Sequence, residues 1–331
     1  MVKARGAMAI AEEPAANFAR RVIEKYRLTP PIDVKQLVRK YGSLRYADIP
    51  FEGADGISVN LKVSGKKPIV IVNSSNPPLR KRFTLAHELG HIVIPWHTGT
   101  IIDHVDPNRH ESSTEYWEIE SEANGFAAEL LMPQEWVNKI LSAEKDLAKA
   151  HSAISDKCET SAHAAALRLS KILPPNIVFA SEKRGKVEFS GRTLGTLAST
   201  LPVDEDFPSA AYTYCQHYYH QKSGDRIFHW WKLPTGVSLS VKDKRPWRTI
   251  LHGILEDIDV PAREQERMTL SINGVFGATN GRVKNTKDYC VDTVIAACMQ
   301  RFKDRQEFLD FSNHPDFEAF IAKRAADLFE K

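Results

Sequence analysis

Two histidines and a glutamate are spaced as a metal-binding helix requires in the segment His87-Glu88-Leu89-Gly90-His91. In an α-helix, residues four apart lie one above the other, so His87 and His91 can present ring nitrogens to the same ion. Glu88 lies about 100° further round the helix, close enough to reach a water molecule on that ion without being a ligand. The spacing predicts a hydrolytic zinc site, although such a short pattern also arises by chance in roughly a few per cent of chains this long.

The residues around this motif favour the zinc site over a chance match. From Phe83 to Trp96, every residue other than the two histidines and the glutamate is apolar, glycine or threonine, and the apolar ones surround the helix. Such a helix is buried, and burying two imidazoles and a carboxylate is costly unless they bind something. The alternative is a pair of core histidines held by backbone hydrogen bonds, with Glu88 at the surface.

A catalytic zinc site needs a third protein ligand and one open position for water, and two residues compete for that third place. His97 follows His91 at the spacing that metzincins use, but their pattern has a glycine where this chain has Ile94. Glu120 lies at the border of the apolar face of the helix predicted from about residue 115 to 132, where a lone carboxylate is unfavourable unless it is paired or metal-bound.

We therefore predict that the zinc ligands are His87, His91 and Glu120. Asn124, one helical turn after Glu120, is placed to hydrogen-bond a ligand and fix its orientation. Glu122 is expected to face solvent. The chain would then hold zinc with two imidazoles and one carboxylate.

The chemistry expected of this set is peptide hydrolysis. Zinc would activate water and polarise the scissile carbonyl, while Glu88 takes the proton of the water and passes it to the leaving amine. Tyr116 and His163 are candidates for stabilising the oxyanion, but a packing role is favoured for each.

Residues 82–91 and 120–133 closely resemble the ImmA/IrrE family of metallo-endopeptidases. Both stretches are specific and occur in the family's order. A helix that begins near Pro31-Ile32-Asp33-Val34 and a strand that ends at Asn73 also look like that family, which extends the resemblance over roughly residues 15 to 175.

The resemblance implies an α+β fold with a minimal thermolysin-like (gluzincin) zinc core, in which a small sheet accompanies the HExxH helix. It also implies ligands at His87, His91 and Glu120 and a base at Glu88, in agreement with the helical-face argument. Thermolysin-type enzymes carry an aspartate where this chain has Asn124, so the group that supports a ligand here is neutral.

Members of that family cleave helix-turn-helix repressors that sit beside them, in mobile elements or stress responses, which switches genes on. The resemblance implies a protein substrate, either a DNA-binding repressor or an antitoxin-like regulator. The alternative is a non-proteolytic regulator that binds DNA or a repressor protein and uses zinc structurally. Glu88 argues for the enzyme, because a structural site has no use for a glutamate beside an open position.

We expect three parts along the chain. Residues 1–150 form the zinc metallopeptidase domain, and residues 151–174 form a helix-turn-helix-like segment that carries Arg168 and Lys171 on its second helix. Direct DNA binding by that segment is less expected than a role in completing the peptidase fold. After the linker at Pro174-Pro175, residues 175–331 form a C-terminal α+β domain for sensing or substrate recognition.

Composition narrows the class of protein further. A formal net charge of +3 is close to balance for 331 residues, which gives little reason to expect strong binding to nucleic acid. Four cysteines without a C-x-x-C pair indicate a reducing compartment. With no apolar run long enough to cross a bilayer, we expect a cytoplasmic protein.

The sequence of the C-terminal half indicates secondary structure but no specific function. Strands are predicted at 177–180, 187–190, 227–233 and 237–241, followed by helices, and the glycine-bearing stretch 273–281 indicates a helix end with turns. An aromatic group is expected to form a hydrophobic core rather than a ligand surface. It comprises Tyr212, Tyr214, Tyr218, Tyr219, Trp230, Trp231 and Trp247, with His217, His220 and His229 among them.

Overall fold

A computed structural model of the chain describes residues 2–50, 53–104, 114–240, 242–303 and 305–330, with side chains described from Pro14 onward except that of His104. The fold is mixed α and β and divides into two compact units, Met1–Leu169 and Ser170–Lys331. The three-part division expected from the sequence stays a prediction. Within the described ranges, no helix is long and apolar enough to cross a lipid bilayer.

The first unit combines helices with one small sheet. Its elements are α1 (Val2–Tyr26), α2 (Val34–Tyr41), β1 (Ser43–Ala47), β2 (Ala54–Leu61), β3 (Ile69–Asn73), α3 (Pro78–Val93), β4 (Gly99–His104), α4 (Thr114–Leu131), α5 (Gln134–Ala143), α6 (Leu147–Cys158) and α7 (Ala162–Ile172), the last of which crosses into the second unit.

The sheet has the strand order β1-β3-β2-β4. β1 pairs with β3 in parallel, whereas β2 is antiparallel to both β3 and β4. The strand expected to end at Asn73 is β3, and it pairs with β2. The edge strands β1 and β4 were not predicted, because β1 is largely exposed and β4 lies in a stretch whose polar residues argued against a core position.

Helix α3 begins and ends at prolines, as its sequence predicts. Pro78 occupies the first helical turn, and Ile94, the residue before Pro95, has the extended backbone that a following proline favours. The residues of α3 from Thr84 to His91 are all buried. This confirms that the motif lies on a helix enclosed on all sides, packed against β2, β3 and α4.

A glycine allows α4 to approach α3 closely. A Cβ added at Gly90 would lie 3.2 Å from ring atoms of Phe126 on α4, closer than most such contacts. Phe126 is fully buried there. The two helices that carry the predicted ligands are therefore brought together at the motif itself.

Helices α6 and α7 meet at a tight turn. The side chain of Asp146 caps α6 by accepting from the backbone N–H groups of Ala148 and Lys149, and Glu159 ends it with φ of 51°. Arg168 on α7 is buried and forms an ion pair with Glu129 of α4. Arg168 is therefore not available at the surface to contact DNA, which corrects the expectation that α7 presents it there.

The second unit pairs an antiparallel sheet with a helical bundle. The sheet has the order β6-β5-β8-β7. Its elements are β5 (Ile177–Lys183), β6 (Lys186–Arg192), β7 (His217–Ser223), β8 (Arg226–Lys232), α8 (Trp247–Asp257), α9 (Ala262–Val283), α10 (Val291–Phe302), a 3₁₀ turn (Gln306–Phe308), α11 (Leu309–Asn313) and α12 (Phe317–Ala326).

Two predictions in this unit were wrong. Residues 237–240 form no strand, and Val241 lies outside the described residues. α9 does not end near Gly274 but continues to Val283. A glycine inside a helix costs only about 0.5–1 kcal/mol, and the buried face formed by Ile272, Phe276 and Thr279 supports α9 across that stretch.

The aromatic group predicted to form a core is divided between two cores. Tyr212 and Trp231 are buried beside the sheet. Trp247 belongs to the separate core of the helical bundle. Tyr218 lies on the edge strand β7, is 46% exposed and stacks on the ring of Trp231.

Candidate metal centre

The three predicted ligands converge on one point inside the first unit. The Nε2 atoms of His87 and His91 lie 3.0 Å apart. Oε2 of Glu120 lies 3.1 Å from Nε2 of His87, and Oε1 of Glu120 lies 3.6 Å from Nε2 of His91. All three side chains are buried, and together they form a group that could hold a metal ion.

The ligand spacing fits a zinc ion. A tetrahedral ion with Zn–N distances of about 2.0–2.1 Å holds two nitrogen ligands roughly 3.3 Å apart. The separations of 3.0 and 3.1 Å among His87, His91 and Glu120 lie close to that value. Two imidazoles and one carboxylate also match a donor set that catalytic zinc sites use.

Asn124 sets the orientation of His87. Its Oδ1 lies 3.1 Å from Nδ1 of His87, and because a carbonyl oxygen can only accept, Nδ1 carries the proton of that hydrogen bond. Nε2 is then the atom that faces the site. The structure places Asn124 within hydrogen-bond distance of His87, and its role in supporting a metal ligand stays a prediction.

The carboxylate of Glu120 favours the protonated form of His87. Burial alone would lower the pKa of His87, but the hydrogen bond to Glu120 and the charge of Asp103 outweigh it and raise that pKa to about 9. Burial lowers the pKa of His91 well below its usual value, and the charge of His87 adds to the effect. Metal binding requires both imidazoles to be neutral, so it would release the proton from His87.

Two carboxylate oxygens in this site lack a hydrogen bond. Among the residues that the structure describes, neither Oε1 of Glu120 nor Oε1 of Glu88 has a donor. An uncompensated buried carboxylate oxygen is costly. A cation bound beside Glu120, and a water molecule or substrate group beside Glu88, would satisfy them.

Glu88 lies next to the ligand group without belonging to it. Its carboxylate is fully buried, and the hydroxyl of Ser58 on β2 donates to its Oε2. Burial raises the pKa of Glu88 to about 8, against the opposing charge of His87. A carboxylate whose pKa approaches neutrality is suited to accept a proton and return it.

Asp103 is a carboxylate in this site that the sequence analysis missed. It lies on β4, and burial raises its pKa. Its carboxylate comes within 4.8 Å of the ligand atoms of His87 and Glu88, so these three form a second, overlapping group. The β-branched run Thr100-Ile101-Ile102 was the signal that could have identified β4 and placed Asp103 beside the motif.

His97 lies behind His91 rather than beside the ligand group. Its Nδ1 is 2.9 Å from Nδ1 of His91, the ring nitrogen that faces away from His87. Its Nε2 is 2.8 Å from Oε2 of Glu122. Glu122 is only 14% exposed, so the expectation that it would be solvated was wrong. The sequence pattern alone did not show that the carboxylate of Glu122 would pair with the buried His97.

The two candidates for oxyanion stabilisation differ in their surroundings. The hydroxyl of Tyr116 donates to the carbonyl of Ile102 on β4 over 2.9 Å, which matches the packing role favoured for it. His163 is exposed on α7.

Comparison with known proteins agrees with this geometry. Residues 37–170 match the Peptidase_M78 family model, described as the IrrE N-terminal-like domain. The chain is 29% identical over 166 residues to the radiation response metalloprotease IrrE of Deinococcus radiodurans, covering 43% of this chain and 50% of that protein. It is 27% identical over 183 residues to the protein of the same name from Deinococcus deserti, covering 48% and 64%.

The chain thus spans between half and two thirds of the length of these relatives. The matched region includes the helices α3 and α4, which carry every predicted ligand. These matches support the likeness to the ImmA/IrrE family inferred from residues 82–91 and 120–133, and residues 37–170 are similar to the IrrE N-terminal-like domain.

Proposed function

We propose that the chain is a zinc-dependent endopeptidase that cleaves a protein substrate. The observation that carries the proposal is the convergence of His87, His91 and Glu120 on one buried point, with the carboxylate of Glu88 beside it. The names of the Deinococcus relatives, which call those proteins metalloproteases, support the same activity.

His87, His91 and Glu120 would hold the zinc ion in this proposal. Zinc bound by three protein ligands supplies Lewis-acid activation of water and of the substrate carbonyl. Asn124 keeps Nε2 of His87 directed at the site through the hydrogen bond to Nδ1.

Glu88 is the proposed general base. The hydroxyl of Ser58 holds one oxygen of its carboxylate, while the other has no donor among the described residues and can accept a proton from water. Enclosure between α3 and β2 raises the pKa of Glu88, so the carboxylic acid formed can return the proton to the leaving amine. Donation of that proton returns Glu88 to its ionised form.

A helix-turn-helix repressor or antitoxin-like regulator is the proposed substrate, and its cleavage would change gene expression in the cytoplasm. This step rests on the resemblance to the ImmA/IrrE family, supported by relatives whose name refers to a radiation response. We also propose that the zinc core has a thermolysin-like arrangement and that residues 151–174 form a helix-turn-helix-like segment.

The test is to incubate the zinc-loaded protein with the repressor encoded beside it and to identify new N-termini by mass spectrometry. Three proteins are compared: the wild type, Glu88→Gln, and Glu118→Gln as a matched change at an exposed position of the same helix as Glu120. We expect one discrete cut with the wild type and with Glu118→Gln, and none with Glu88→Gln. Cutting by Glu88→Gln at the wild-type rate would refute the assigned base.

The non-proteolytic alternative makes the opposite prediction. A regulator that uses zinc only structurally would bind the repressor or DNA without producing any new N-terminus. The burial of Arg168 against Glu129 weakens the DNA-binding form of this alternative.

A further inference from the structure

We propose that His97 and Glu122 are a pair of positioning residues that set the tautomer of His91 and so direct its Nε2 at the metal. This inference deepens the proposed function and rests on His91 being a ligand there. Neither His97 nor Glu122 touches the metal or the substrate in this account, because both act through His91.

The three side chains form a continuous chain of hydrogen bonds. Nδ1 of His91 lies 2.9 Å from Nδ1 of His97, and Nε2 of His97 lies 2.8 Å from Oε2 of Glu122. The indole N–H of Trp96 donates to the same Oε2 over 2.7 Å, which fixes the orientation of the carboxylate. Both histidine rings are fully buried, and Glu122 is 14% exposed.

The chemistry of each atom fixes which nitrogen donates and which accepts in this series of hydrogen bonds. A carboxylate oxygen accepts hydrogen bonds, so Nε2 of His97 carries the proton that faces Glu122. In the neutral imidazole the other nitrogen, Nδ1, is then an acceptor. It can pair with Nδ1 of His91 only if that atom carries a proton. The lone pair of His91 is thereby left on Nε2, which lies 3.0 Å from Nε2 of His87.

The two ligand histidines are therefore oriented by different means. Asn124 accepts from Nδ1 of His87 directly. His91 reaches its acceptor, Glu122, through the intervening ring of His97. Nε2 of each histidine is therefore the ring nitrogen that faces the ligand group, and such supporting partners typically contribute about 10- to 100-fold to metal affinity.

His97 cannot serve as a ligand in this arrangement. Its Nδ1 is engaged with His91 and its Nε2 with Glu122, so neither ring nitrogen is directed at the point where the ligands converge. The spacing that suggested a metzincin-like third ligand instead places His97 behind His91.

The decisive comparison is between two substitutions of similar size at Glu122. Gln retains an oxygen that can accept from both Trp96 and His97, whereas Leu offers no acceptor. We expect Glu122→Leu to weaken zinc binding by about 10- to 100-fold and Glu122→Gln to stay within roughly 3-fold of the wild type. The matched control is Glu118→Leu on the same helix, which is exposed and should leave the affinity unchanged.

Zinc affinity is measured by competition with a chromogenic chelator, so no peptidase activity is required. A double-substitution cycle adds a readout that a purely structural role would not produce. In a His97→Phe background, Glu122→Leu should cause no further loss of zinc affinity. The hydrogen bonds that link Glu122 to His91 are already broken in that background. The proposal would be overturned if the losses of zinc affinity from His97→Phe and Glu122→Leu were additive. It would also be overturned if Glu122→Gln and Glu122→Leu lowered the affinity equally.

A second measurement does not depend on zinc or on the fold of a variant. Long-range ¹H–¹⁵N NMR of the metal-free wild type reports which nitrogen of His91 is protonated. We expect the Nδ1–H form, and observation of the Nε2–H form would refute the inference. If the wild type binds no zinc, the proposed function fails while this spectrum still tests the relay from Glu122 to His91.

Discussion

Gly56 on β2 lies so close to Glu88 on α3 that any larger side chain would displace the Glu88 carboxylate. A Cβ at Gly56 would overlap Oε1 of Glu88 and come within 2.7 Å of Cγ2 of Thr84. That oxygen is the one without a donor among the described residues. The glycine thus leaves the space in which the proposed base accepts its proton.

Substitution of this glycine should separate metal binding from catalysis. In Gly56→Ala the carboxylate of Glu88 must move, whereas His87, His91 and Glu120 project from α3 and α4 and keep their positions. We expect wild-type zinc content with a loss of cleavage of roughly 100-fold or more, since misplacing a catalytic group by about 1 Å has that effect. Metal analysis and the cleavage assay are done on the same sample, and full activity of Gly56→Ala would contradict the account of Glu88.

The choice of Glu120 as third ligand predicts a ranking of zinc affinities. Removing a ligand in Glu120→Ala should weaken binding by more than the about 10- to 100-fold expected for loss of a supporting group in His97→Ala. Chelator competition on both variants measures the ranking. Wild-type affinity in Glu120→Ala together with loss of binding in His97→Ala would restore His97 as the ligand.

A buried histidine away from the metal centre predicts a specific acid sensitivity. His151 is 1% exposed and bonds through Nε2 to the carbonyl of Ala162 over 2.7 Å. Burial lowers the pKa of His151 to about 4, although the bond to Ala162 opposes the shift. The unfolded chain therefore binds more protons between about pH 6.5 and pH 4, and stability falls as the pH is lowered through that window.

The matched variant for this prediction is His151→Gln, which retains an N–H donor but does not titrate. The wild type should lose on the order of 2–3 kcal/mol relative to the variant between pH 7 and pH 4. Urea unfolding at several pH values measures the difference, and effects of other titrating groups cancel in it. Parallel curves for the two proteins would show that His151 is not held neutral by the fold.

Because Arg168 forms a buried ion pair with Glu129, we expect its substitution to lower the stability of the fold rather than an affinity for DNA. Arg168 also donates through Nε to the carbonyl of Met132 over 3.0 Å. Arg168→Leu would leave Glu129 buried at 2% exposure, with Arg20 at 3.4 Å and the backbone N–H of Gln134 at 3.1 Å as its partners. Breaking such a pair costs about 3–5 kcal/mol, and we expect a value near the lower end because Arg20 remains.

Chemical denaturation of Arg168→Leu tests this, with Lys171→Ala as a control on the same helix. Lys171 is exposed, and its removal should change stability by about 0.5 kcal/mol or less. An unchanged stability of Arg168→Leu combined with a lost affinity for DNA would return α7 to a DNA-binding role.

Local sequence signals predicted the parts of the fold that depend on periodicity. The helices α3 and α4 follow from the spacing of their apolar residues, and α2 begins where expected, with the side chain of Asp33 accepting from the backbone N–H of Gln36. The edge strands β1, β4 and β7 were missed, because strands that are half exposed show neither a continuous apolar run nor clean alternation. The length of α9 was missed because its support comes from packing.

The same division holds within the candidate site. His87, Glu88 and His91 follow from one helical turn, and Glu120 follows from its position at the edge of an apolar face. The contacts of Asp103, and of Glu122 with His97, depend on how β4 and the segment after α3 pack against the site. Such long-range contacts leave no trace in local spacing.

The central claim is that His87, His91 and Glu120 are the side chains that hold the zinc ion. The most direct measurement is an anomalous difference map, collected on both sides of the zinc absorption edge from crystals of the zinc-loaded protein. We predict a single strong peak about 2.0–2.2 Å from Nε2 of His87, Nε2 of His91 and a carboxylate oxygen of Glu120. A peak held instead by His87, Glu88 and Asp103, with Glu120 turned away, would contradict it.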